Sequence, residues 1–164
     1  MRNTGVLLSI ALAAVLLGIL AFSIGEPEPV LAPDFSLMSL DGEEIHLSQF
    51  RGSVVVLDFW ATWCAPCIRS FPDLHDLVAQ VEDRGVVLLV VSLDKSEARA
   101  RDYLVEQGYP TDHVLWESLD AARAVKESFG VVGIPRTFVI DREGYIQYSG
   151  KPTNLTEDEL LQWL

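Results

Sequence analysis

The sequence predicts an α/β domain in which a central sheet of buried strands is flanked by helices. Residues 53–59 (SVVVLDF) and 86–93 (VVLLVVSL) are nearly continuous apolar runs, which is typical of strands buried on both faces of a parallel sheet. Apolar residues at helical spacing follow each run, and hairpin-like segments lie at residues 35–47 and 136–148. This order of elements predicts an α/β sandwich whose last strands are antiparallel.

An apolar segment near the start of the chain is long enough to cross a membrane. Residues 6–24 carry no charge and would form a helix about 28 Å long, against about 30 Å for the hydrocarbon core of a bilayer. Signal peptides have a shorter apolar region of about 7–15 residues, although Ala21-Phe22-Ser23 resembles a weak cleavage site. We therefore predict a retained transmembrane anchor, or uncleaved signal, with cleavage as the alternative.

The charges around this segment predict its orientation. Arg2 precedes the segment, and Glu26 and Glu28 follow it, which favours a cytoplasmic location for residues 1–5. The rest of the chain would then lie on the extracytoplasmic side of the membrane. Cleavage of a signal peptide would lead to the same location.

The folded part is predicted to begin after a linker. Residues 25–33 (GEPEPVLAP) contain three prolines and two glutamates, typical of a semi-extended linker, and residues 34–164 form the predicted domain. Asp41-Gly42 marks the turn of the first hairpin, and a capping box from Thr156 to Glu159 opens a final helix. Between them we predict strands over 53–59, 86–93 and 113–116, helices over about 64–83, 96–107 and 120–129, and a hairpin formed by 136–140 and 145–148.

The composition is acidic and excludes a role in nucleic-acid binding. The chain has 164 residues, with 12 Lys and Arg against 24 Asp and Glu, and a formal net charge of −12. So few cations among so many acids cannot form the basic face that binds a phosphate backbone. We interpret the acidic excess as a solvated surface.

The only two cysteines, Cys64 and Cys67, lie where a buried strand gives way to a helix. The unpaired N–H groups and the macrodipole of a helix N-terminus lower the pKa of a cysteine, and the thiolate is its reactive form. A spacing of three residues places Cys67 one turn along the same face, close enough for a disulfide with Cys64. Pro66 suits a first turn, where a missing N–H has no cost. The pattern predicts a redox pair with Cys64 as the exposed attacking thiol and Cys67 as the shielded resolving thiol.

Three other roles for the cysteines fit the pattern less well. A structural zinc site needs four ligands, and His46, His75 and His113 are not paired at ligand spacing, so we predict no metal site. His75 lies about 16 Å from Cys64 along the predicted helix, and we interpret it as a surface residue. A structural disulfide across so short a loop would add little stability, and inert cysteines are not expected as a pair at a helix N-terminus.

Two motifs resemble those of the thioredoxin superfamily. They are VVVLDFWATWCAPC and, some 70 residues later, VVGIPRTFVID. The preceding APDFSLMSLDGEEIHLSQFRG resembles the membrane-anchored TlpA/ResA-type branch of thiol-disulfide interchange and cytochrome c biogenesis proteins, and the likeness covers nearly all of residues 32–150. The resemblance implies a thioredoxin-like fold with an extra N-terminal β-hairpin and a βα insertion. It also implies a single-pass protein of the bacterial cytoplasmic membrane with its catalytic domain on the periplasmic side.

The resemblance also implies roles for individual residues. Cys64 corresponds to the nucleophile and Cys67 to the resolving cysteine of the family. Pro135 corresponds to a cis-proline that faces the active site, and Ile134 to the residue that presents backbone groups to a bound substrate strand. Trp63 corresponds to a tryptophan beside the site.

Asp58 corresponds to the buried acid of the family, and its position is unusual in its own right. A carboxylate inside the apolar run VVVLDF is expected to have a raised pKa, which suits a proton acceptor for Cys67. The alternative is an Asp that is only hydrogen-bonded in the core. Thioredoxins place a Lys on the neighbouring strand, whereas residues 90–92 here are VVS, so the pKa of Asp58 should rise further.

Arg136 departs from the family, which commonly has Thr after the cis-proline. A cation at this position would stabilise the Cys64 thiolate, or it would form a surface salt bridge. Under the first alternative, Arg136→Thr raises the pKa of Cys64. Trp60 also corresponds to a family tryptophan, and we weigh ordinary packing equally with a role at the site.

The function predicted from these residues is thiol–disulfide exchange, most consistent with an extracytoplasmic disulfide reductase. The pair Ala65-Pro66 lacks the His that stabilises a thiolate in strongly oxidising relatives. The expected substrates are disulfides of exported proteins, with apocytochrome c implied by the resemblance. A membrane electron donor would re-reduce the protein, because its compartment is oxidising. We expect no cofactor.

Rival functions come from neighbouring classes. A disulfide oxidase or isomerase is the nearest alternative, and the reduction potential distinguishes it. A peroxiredoxin-like peroxidase would require Thr three and Pro seven residues before its nucleophile, where this chain has Ala61 and Leu57. A copper-delivery protein would require other cysteine spacing and a well-placed His, which a copper titration would test.

Overall fold

A six-stranded mixed sheet lies at the centre of the computed structural model, which describes residues 29–164. In chain order the strands are β1 (Val30–Leu31), β2 (Ser36–Met38), β3 (Glu44–His46), β4 (Val54–Trp60), β5 (Val86–Ser92), β6 (Val114–Leu115), β7 (Arg136–Ile140) and β8 (Tyr145–Gly150). The α-helices are α1 (Ala65–Ala79), α2 (Glu97–Gln107), α3 (Leu119–Ser128) and α4 (Glu157–Leu161). Short 3-10 helices cover Leu47–Phe50, Glu82–Arg84 and Pro152–Asn154.

The sheet has the strand order β1-β8-β7-β4-β5-β6. β4 pairs in parallel with β5, and β5 with β6, whereas β7, β8 and β1 continue the sheet on the other side in antiparallel pairing. This topology confirms the predicted α/β architecture with a central mixed sheet and antiparallel last strands. β4 is therefore a central strand with a parallel neighbour on one side and an antiparallel neighbour on the other.

Within residues 29–164, no helix is both long enough and apolar enough to cross a membrane. The predicted anchor, residues 6–24, and the preceding residues 1–5 lie outside the described part of the chain. The membrane location and the predicted domain boundaries therefore stay predictions.

The N-terminal hairpin formed by β2 and β3 confirms the prediction for residues 35–47 and covers one edge of the sheet. Leu40 N–H donates to the carbonyl of Val114, and Trp116 N–H donates to the carbonyl of Met38. These bonds attach the end of β2 to β6, the outermost strand on that side. An exposed strand edge would otherwise present unpaired backbone groups to other chains.

The strand β1 was not predicted, and it lies inside the segment predicted as a linker. Val30 pairs with Ile146, and Leu31 with Tyr145, at the edge of the sheet next to β8. A pair of residues is too short to show an alternating pattern, and the surrounding prolines are typical of both linkers and edge strands. Pairing with β8 therefore defines this strand, and the local sequence alone does not predict it.

The first helix ends earlier than the apolar spacing predicts. α1 stops at Ala79 instead of continuing to residue 83, and the chain turns through the 3-10 helix Glu82–Arg84 to Gly85, whose φ of 90° lies in the left-handed region. Val81 is fully buried in this turn. Val81 continues the helical spacing of the apolar residues although it lies in the turn. That spacing alone therefore does not show where α1 ends.

The alternation of side chains along β4 determines which face of the sheet each residue occupies. Val54 and Val56 pack in one core cluster with Leu74 and Val78 of α1. Trp60, also at an even position, stacks on Phe71 of α1 with ring centroids 5.2 Å apart. Asp58 lies between these positions, so its side chain faces the side of the sheet that α1 covers.

Candidate active site

The two cysteines form a disulfide at the N-terminus of α1. Cys64 is the residue that caps the helix, and its Sγ accepts a hydrogen bond of 3.3 Å from the N–H of Cys67. Cys64 is 5% exposed and Cys67 is 1% exposed. The predicted exposure of Cys64 is thus not found in the disulfide form, because the bond turns its sulfur towards the first turn of the helix.

The first turn of α1 provides a positive environment for the sulfur of Cys64. Its N–H groups lack carbonyl partners within the helix, and the macrodipole has its positive end here. Pro66 occupies this turn, as predicted, and no acidic residue does. A negative charge on Cys64 would therefore face N–H donors without a competing carboxylate, which favours the thiolate.

A buried carboxylate that the sequence did not reveal holds the loop before the cysteines. Asp94 is completely buried and accepts hydrogen bonds from the Thr62 N–H (3.0 Å) and the Thr62 hydroxyl (2.6 Å). The hydroxyl of Ser92 also donates to Asp94, at 3.0 Å. An Asp directly after a buried strand and a Thr two residues before a Cys were the available signals. Their contact joins segments that are 32 residues apart.

Trp63 and Trp60 have different environments although both are near the cysteines. Trp63 is 60% exposed, and its indole N–H donates to the carbonyl of Leu93 at 3.4 Å, which holds the ring at the surface. Trp60 is fully buried between Phe71 and Tyr103. Aromatic packing therefore accounts for the position of the Trp60 ring, and Trp63 is available to contact another molecule.

The loop that contains Ile134 and Pro135 lies beside the disulfide. Their peptide bond is cis, as the resemblance implied. One surface groove is lined both by Pro66 of the first helical turn and by this loop, and a second groove is lined both by Trp63 and by Ile134. The structure thus brings the predicted substrate-binding residues Ile134 and Pro135 together with Trp63 and Pro66, the chain neighbours of the cysteines.

The contacts of Arg136 do not support a role in stabilising the Cys64 thiolate. Its guanidinium donates to the hydroxyl of Ser149 on β8 through Nε (3.1 Å) and Nη2 (2.7 Å) and lies 5.7 Å from the ring centroid of Phe138. In the described part of the chain it has neither a carboxylate within 4.0 Å nor a hydrogen bond to Cys64. This geometry favours an anchoring role at the surface.

Asp58 is a buried carboxyl group under α1. It is 2% exposed, and its Oδ1 accepts a hydrogen bond of 2.7 Å from the hydroxyl of Thr137 on β7. Burial raises the pKa of Asp58 to about 7, although the bond from Thr137 lowers it in part. Its partner on β5 is Val90, so no cation takes the position that a Lys has in thioredoxins. Asp58 can therefore exchange a proton near neutral pH.

His75 does not belong to this site, and it is less exposed than predicted. Its side chain is 28% exposed and packs against the ring of Tyr109, with centroids 4.9 Å apart. The ring of Phe71 lies 6.5 Å away on the same side of α1. The spacing from Cys64 showed that His75 is remote, but it could not show that Tyr109 would cover it.

Comparison of the sequence with known proteins identifies the family and the relatives that this chain is similar to. The sequence profile of the AhpC/TSA family matches residues 30–149, which include both cysteines and the cis-proline. The thiol-disulfide oxidoreductase ResA of Geobacillus thermodenitrificans (strain NG80-2) is 33% identical over 127 residues, which are 77% of this chain and 71% of that protein. The thioredoxin-like protein YneN of Bacillus subtilis (strain 168) is 33% identical over 126 residues, with coverage of 76% and 71%.

Solved structures show the same fold. The thioredoxin domain of a thiol-disulfide oxidoreductase from Bacteroides vulgatus superimposes with a TM-score of 0.71 at 26% sequence identity. The match covers 84% of this chain and 95% of that domain. The fold is therefore thioredoxin-like, as the resemblance implied.

Asp58→Asn is expected to stabilise the oxidised protein at alkaline pH. Because the pKa of Asp58 rises from 3.8 to about 7 on folding, the native state binds more protons than the unfolded state between these values. The free energy of unfolding of the wild type therefore falls as pH rises from about 4 to about 7, by on the order of 4 kcal/mol. Asn carries no charge and can still accept the bond from Thr137. Urea unfolding near pH 4 and at pH 8 measures the difference.

Thr137→Val is the matched control for this titration. It removes the hydrogen bond that favours the carboxylate, so the pKa of Asp58 should rise further, as followed by carboxyl carbon NMR. An equal stability difference between Asp58→Asn and the wild type at both pH values would contradict the raised pKa.

Asp94→Asn is expected to lower the free energy of unfolding by about 1–3 kcal/mol, because an amide NH₂ would oppose the donors that now share its carboxylate. Exchange of the Thr62 amide hydrogen should accelerate as well. Ser92→Ala, which removes one of the donors and leaves the Thr62 bonds, should leave that exchange rate nearly unchanged. Equal exchange of Thr62 in Asp94→Asn and the wild type would show that Asp94 does not hold the loop.

Proposed function

We propose that this chain, which belongs to the AhpC/TSA family and is a thiol-disulfide oxidoreductase of the ResA type, reduces disulfides in exported proteins. The observation that carries the proposal is the Cys64–Cys67 disulfide at a helix N-terminus, beside a cis-proline loop and above a buried carboxyl group. The ResA and YneN relatives, each a third identical to it, support the same chemistry.

The first step is attack by the Cys64 thiolate on one sulfur of the substrate disulfide. A bond forms between Cys64 Sγ and that sulfur, the substrate S–S bond breaks, and the second substrate sulfur leaves as a thiolate that takes a proton from solvent. The N–H donors of the first turn of α1 support the thiolate before attack. The product is a mixed disulfide between Cys64 and the substrate.

The second step resolves the mixed disulfide. Cys67 transfers its proton to the Asp58 carboxylate, directly or through one water, and its thiolate attacks Cys64 Sγ. The Cys64–Cys67 bond forms, and the remaining substrate sulfur leaves as a thiolate that takes up a proton. The substrate has gained two electrons, and the protein is oxidised. Burial of Asp58 on the side of the sheet under α1, with a pKa of about 7, supports its role as proton acceptor.

Substrate binding is proposed to use the loop beside the disulfide. Ile134 and Pro135 would present backbone groups to an extended substrate segment, and the exposed ring of Trp63 would pack against it. Arg136, held by Ser149, would fix the end of this loop rather than act on Cys64.

The direction of electron flow is proposed from the residues around the pair. Ala65-Pro66 between the cysteines has no His or cation that would stabilise the reduced form strongly, and such stabilisation is what makes a thioredoxin-fold protein an oxidant. A reductase in an oxidising compartment needs a membrane electron donor to restore its thiols. Anchoring by residues 6–24 would keep the protein near that donor. Apocytochrome c is the first substrate to test, because of the resemblance to the cytochrome c biogenesis branch.

A thiol peroxidase fits the site less well. The positions three and seven residues before Cys64 hold Ala61 and Leu57, and both side chains are completely buried and apolar. Neither can donate a hydrogen bond to a peroxide or activate the cysteine. Thiol–disulfide exchange remains the function that the site supports best.

The reduction potential of the Cys64–Cys67 pair tests the proposed direction of electron flow. Equilibration of the full-length protein in detergent with dithiothreitol buffers is expected to give a value of about −270 mV, the potential of thioredoxin. A value of about −120 mV, typical of the strongest thioredoxin-fold oxidants, would overturn the reductase assignment in favour of an oxidase. Insulin reduction by the reduced protein is the parallel activity measurement.

Cys67→Ser is expected to trap the mixed disulfide, because Cys64 can still attack but no thiol can resolve the product. The probe is an oxidised peptide with the Cys-X-X-Cys-His motif of haem attachment. Mass spectrometry should find one peptide per protein, released by dithiothreitol. Cys64→Ser is the matched control and should trap none. Trapping by Cys64→Ser and not by Cys67→Ser would reverse the proposed roles.

A further inference from the structure

Two grooves border the chain neighbours of the cysteines, Pro66 in one groove and Trp63 in the other, and they share part of their lining. The first, of about 520 Å³, runs between the start of α1, the cis-proline loop and the segment after β8; we call it the proline groove. The second, of about 440 Å³, runs between Trp63, the segment after β5 and α3; we call it the tryptophan groove. Gly133 and Ile134 line both grooves, so together the grooves form one surface that crosses the cis-proline loop.

Both grooves are lined by basic side chains. Among the described residues, no Asp or Glu lines either groove. This is unexpected for a chain with 12 basic and 24 acidic residues, because half of all its basic residues lie on this one surface. The basic residues are Arg69, Arg136 and Lys151 in the proline groove and Lys95, Arg123 and Lys126 in the tryptophan groove.

Local ion pairs do not cancel this positive charge. In the described part of the chain, only Arg123 of these six has a carboxylate within 4.0 Å, from Asp120 at 3.8 Å on the same helix. The Asp120 side chain is 96% exposed, and such pairs are weak. Arg136 donates to Ser149, and Lys126 donates to the carbonyl of Val132, so both contact neutral groups. The cations therefore remain available to a bound molecule.

The surface has the shape and polarity of a site for an extended protein segment. Apolar side chains stand beside the cations, since Trp63 is 60% exposed and Val132 is 97% exposed. A segment whose cysteine reaches Cys64 along the cis-proline loop would continue into the proline groove on one side and into the tryptophan groove on the other. Residues on both sides of that cysteine would then lie near cations.

We propose that the two grooves select disulfide-bearing protein segments that have acidic residues on both sides of the reactive cysteine. The inference rests on the proposed function and adds a substrate class to it. A cleft lined by one sign of charge focuses the potential and raises the association rate of the opposite charge by about 10- to 1,000-fold. The net charge of −12 would repel an acidic substrate elsewhere, so the basic surface would also orient it.

The test compares three disulfide peptides that differ only in the residues next to the reactive cysteine, which are Glu, Gln or Lys on both sides. The reduced full-length protein in non-ionic detergent reacts with each under second-order conditions, followed by the fluorescence of its tryptophans. Rates are divided by those of the same peptides with 2-mercaptoethanol, an uncharged thiol, to remove intrinsic reactivity. The Glu peptide should react about tenfold faster than the Gln peptide, and the Lys peptide slowest, at about 0.01 M ionic strength. The preference should nearly vanish at about 1 M, where the Debye length is about 3 Å.

Neutralised variants identify the cations responsible. A triple variant of the tryptophan groove (Lys95→Gln, Arg123→Gln, Lys126→Gln) and a double variant of the proline groove (Arg69→Gln, Lys151→Gln) should each lower the Glu-to-Gln rate ratio severalfold. The matched control removes three exposed cations around the start of β4, at the end of that strand opposite the disulfide, and should keep the ratio of the wild type. Its substitutions are Arg51→Gln, Arg84→Gln and Arg142→Gln.

The outcomes separate this inference from the function on which it rests. If the Gln peptide reacts and the three corrected rates are equal, the inference is overturned and the oxidoreductase function stands. The inference is also overturned if the control triple lowers the ratio as much as the groove variants do. If no peptide reacts, both the function and the substrate class fail.

Discussion

Burial of β4 on both faces is the constraint on which the rest of this structure depends. All seven residues of Val54–Trp60 are buried, and the strand pairs with β5 on one side and with β7 on the other. Because its end leads directly into α1, the cysteines are held at a fixed point between the sheet and the helix. The cis-proline loop enters β7, the antiparallel neighbour of the same strand, so one strand positions both halves of the site.

The same burial raises the pKa of Asp58 and makes its ionised form energetically unfavourable. A carboxyl group in this strand is shielded from solvent, and only the hydroxyl of Thr137 donates to it among the side chains of the described residues. Keeping it ionised is unfavourable, so its pKa lies near 7, where a proton can enter and leave. A residue that destabilises the native state at alkaline pH but suits proton transfer is typical of a functional position rather than a packing position.

The sequence predicted well those features that local patterns determine. The runs around β4 and β5, the turn at Asp41-Gly42 and the placement of Cys64 at a helix N-terminus all follow from residues close in the chain. Features that depend on distant partners were missed, such as the pairing of β1 with β8 and the hold of Asp94 on Thr62. The reason is physical, because a two-residue strand or a single Asp has no periodicity, and its partner is chosen only when the sheet forms.

The basic surface around the disulfide is the feature least visible in the sequence, because it forms only when the chain folds. Its cations come from separate segments between Arg69 and Lys151, which only the fold brings to one surface. Composition indicated only an acidic, solvated protein, yet the fold places positive charge where a reacting disulfide must arrive. Since like charges elsewhere repel an acidic segment, the surface can orient a substrate before any sulfur is in contact. Thiol–disulfide exchange itself has little inherent specificity, so under the proposed function the charge around the site would contribute to selection among substrate disulfides.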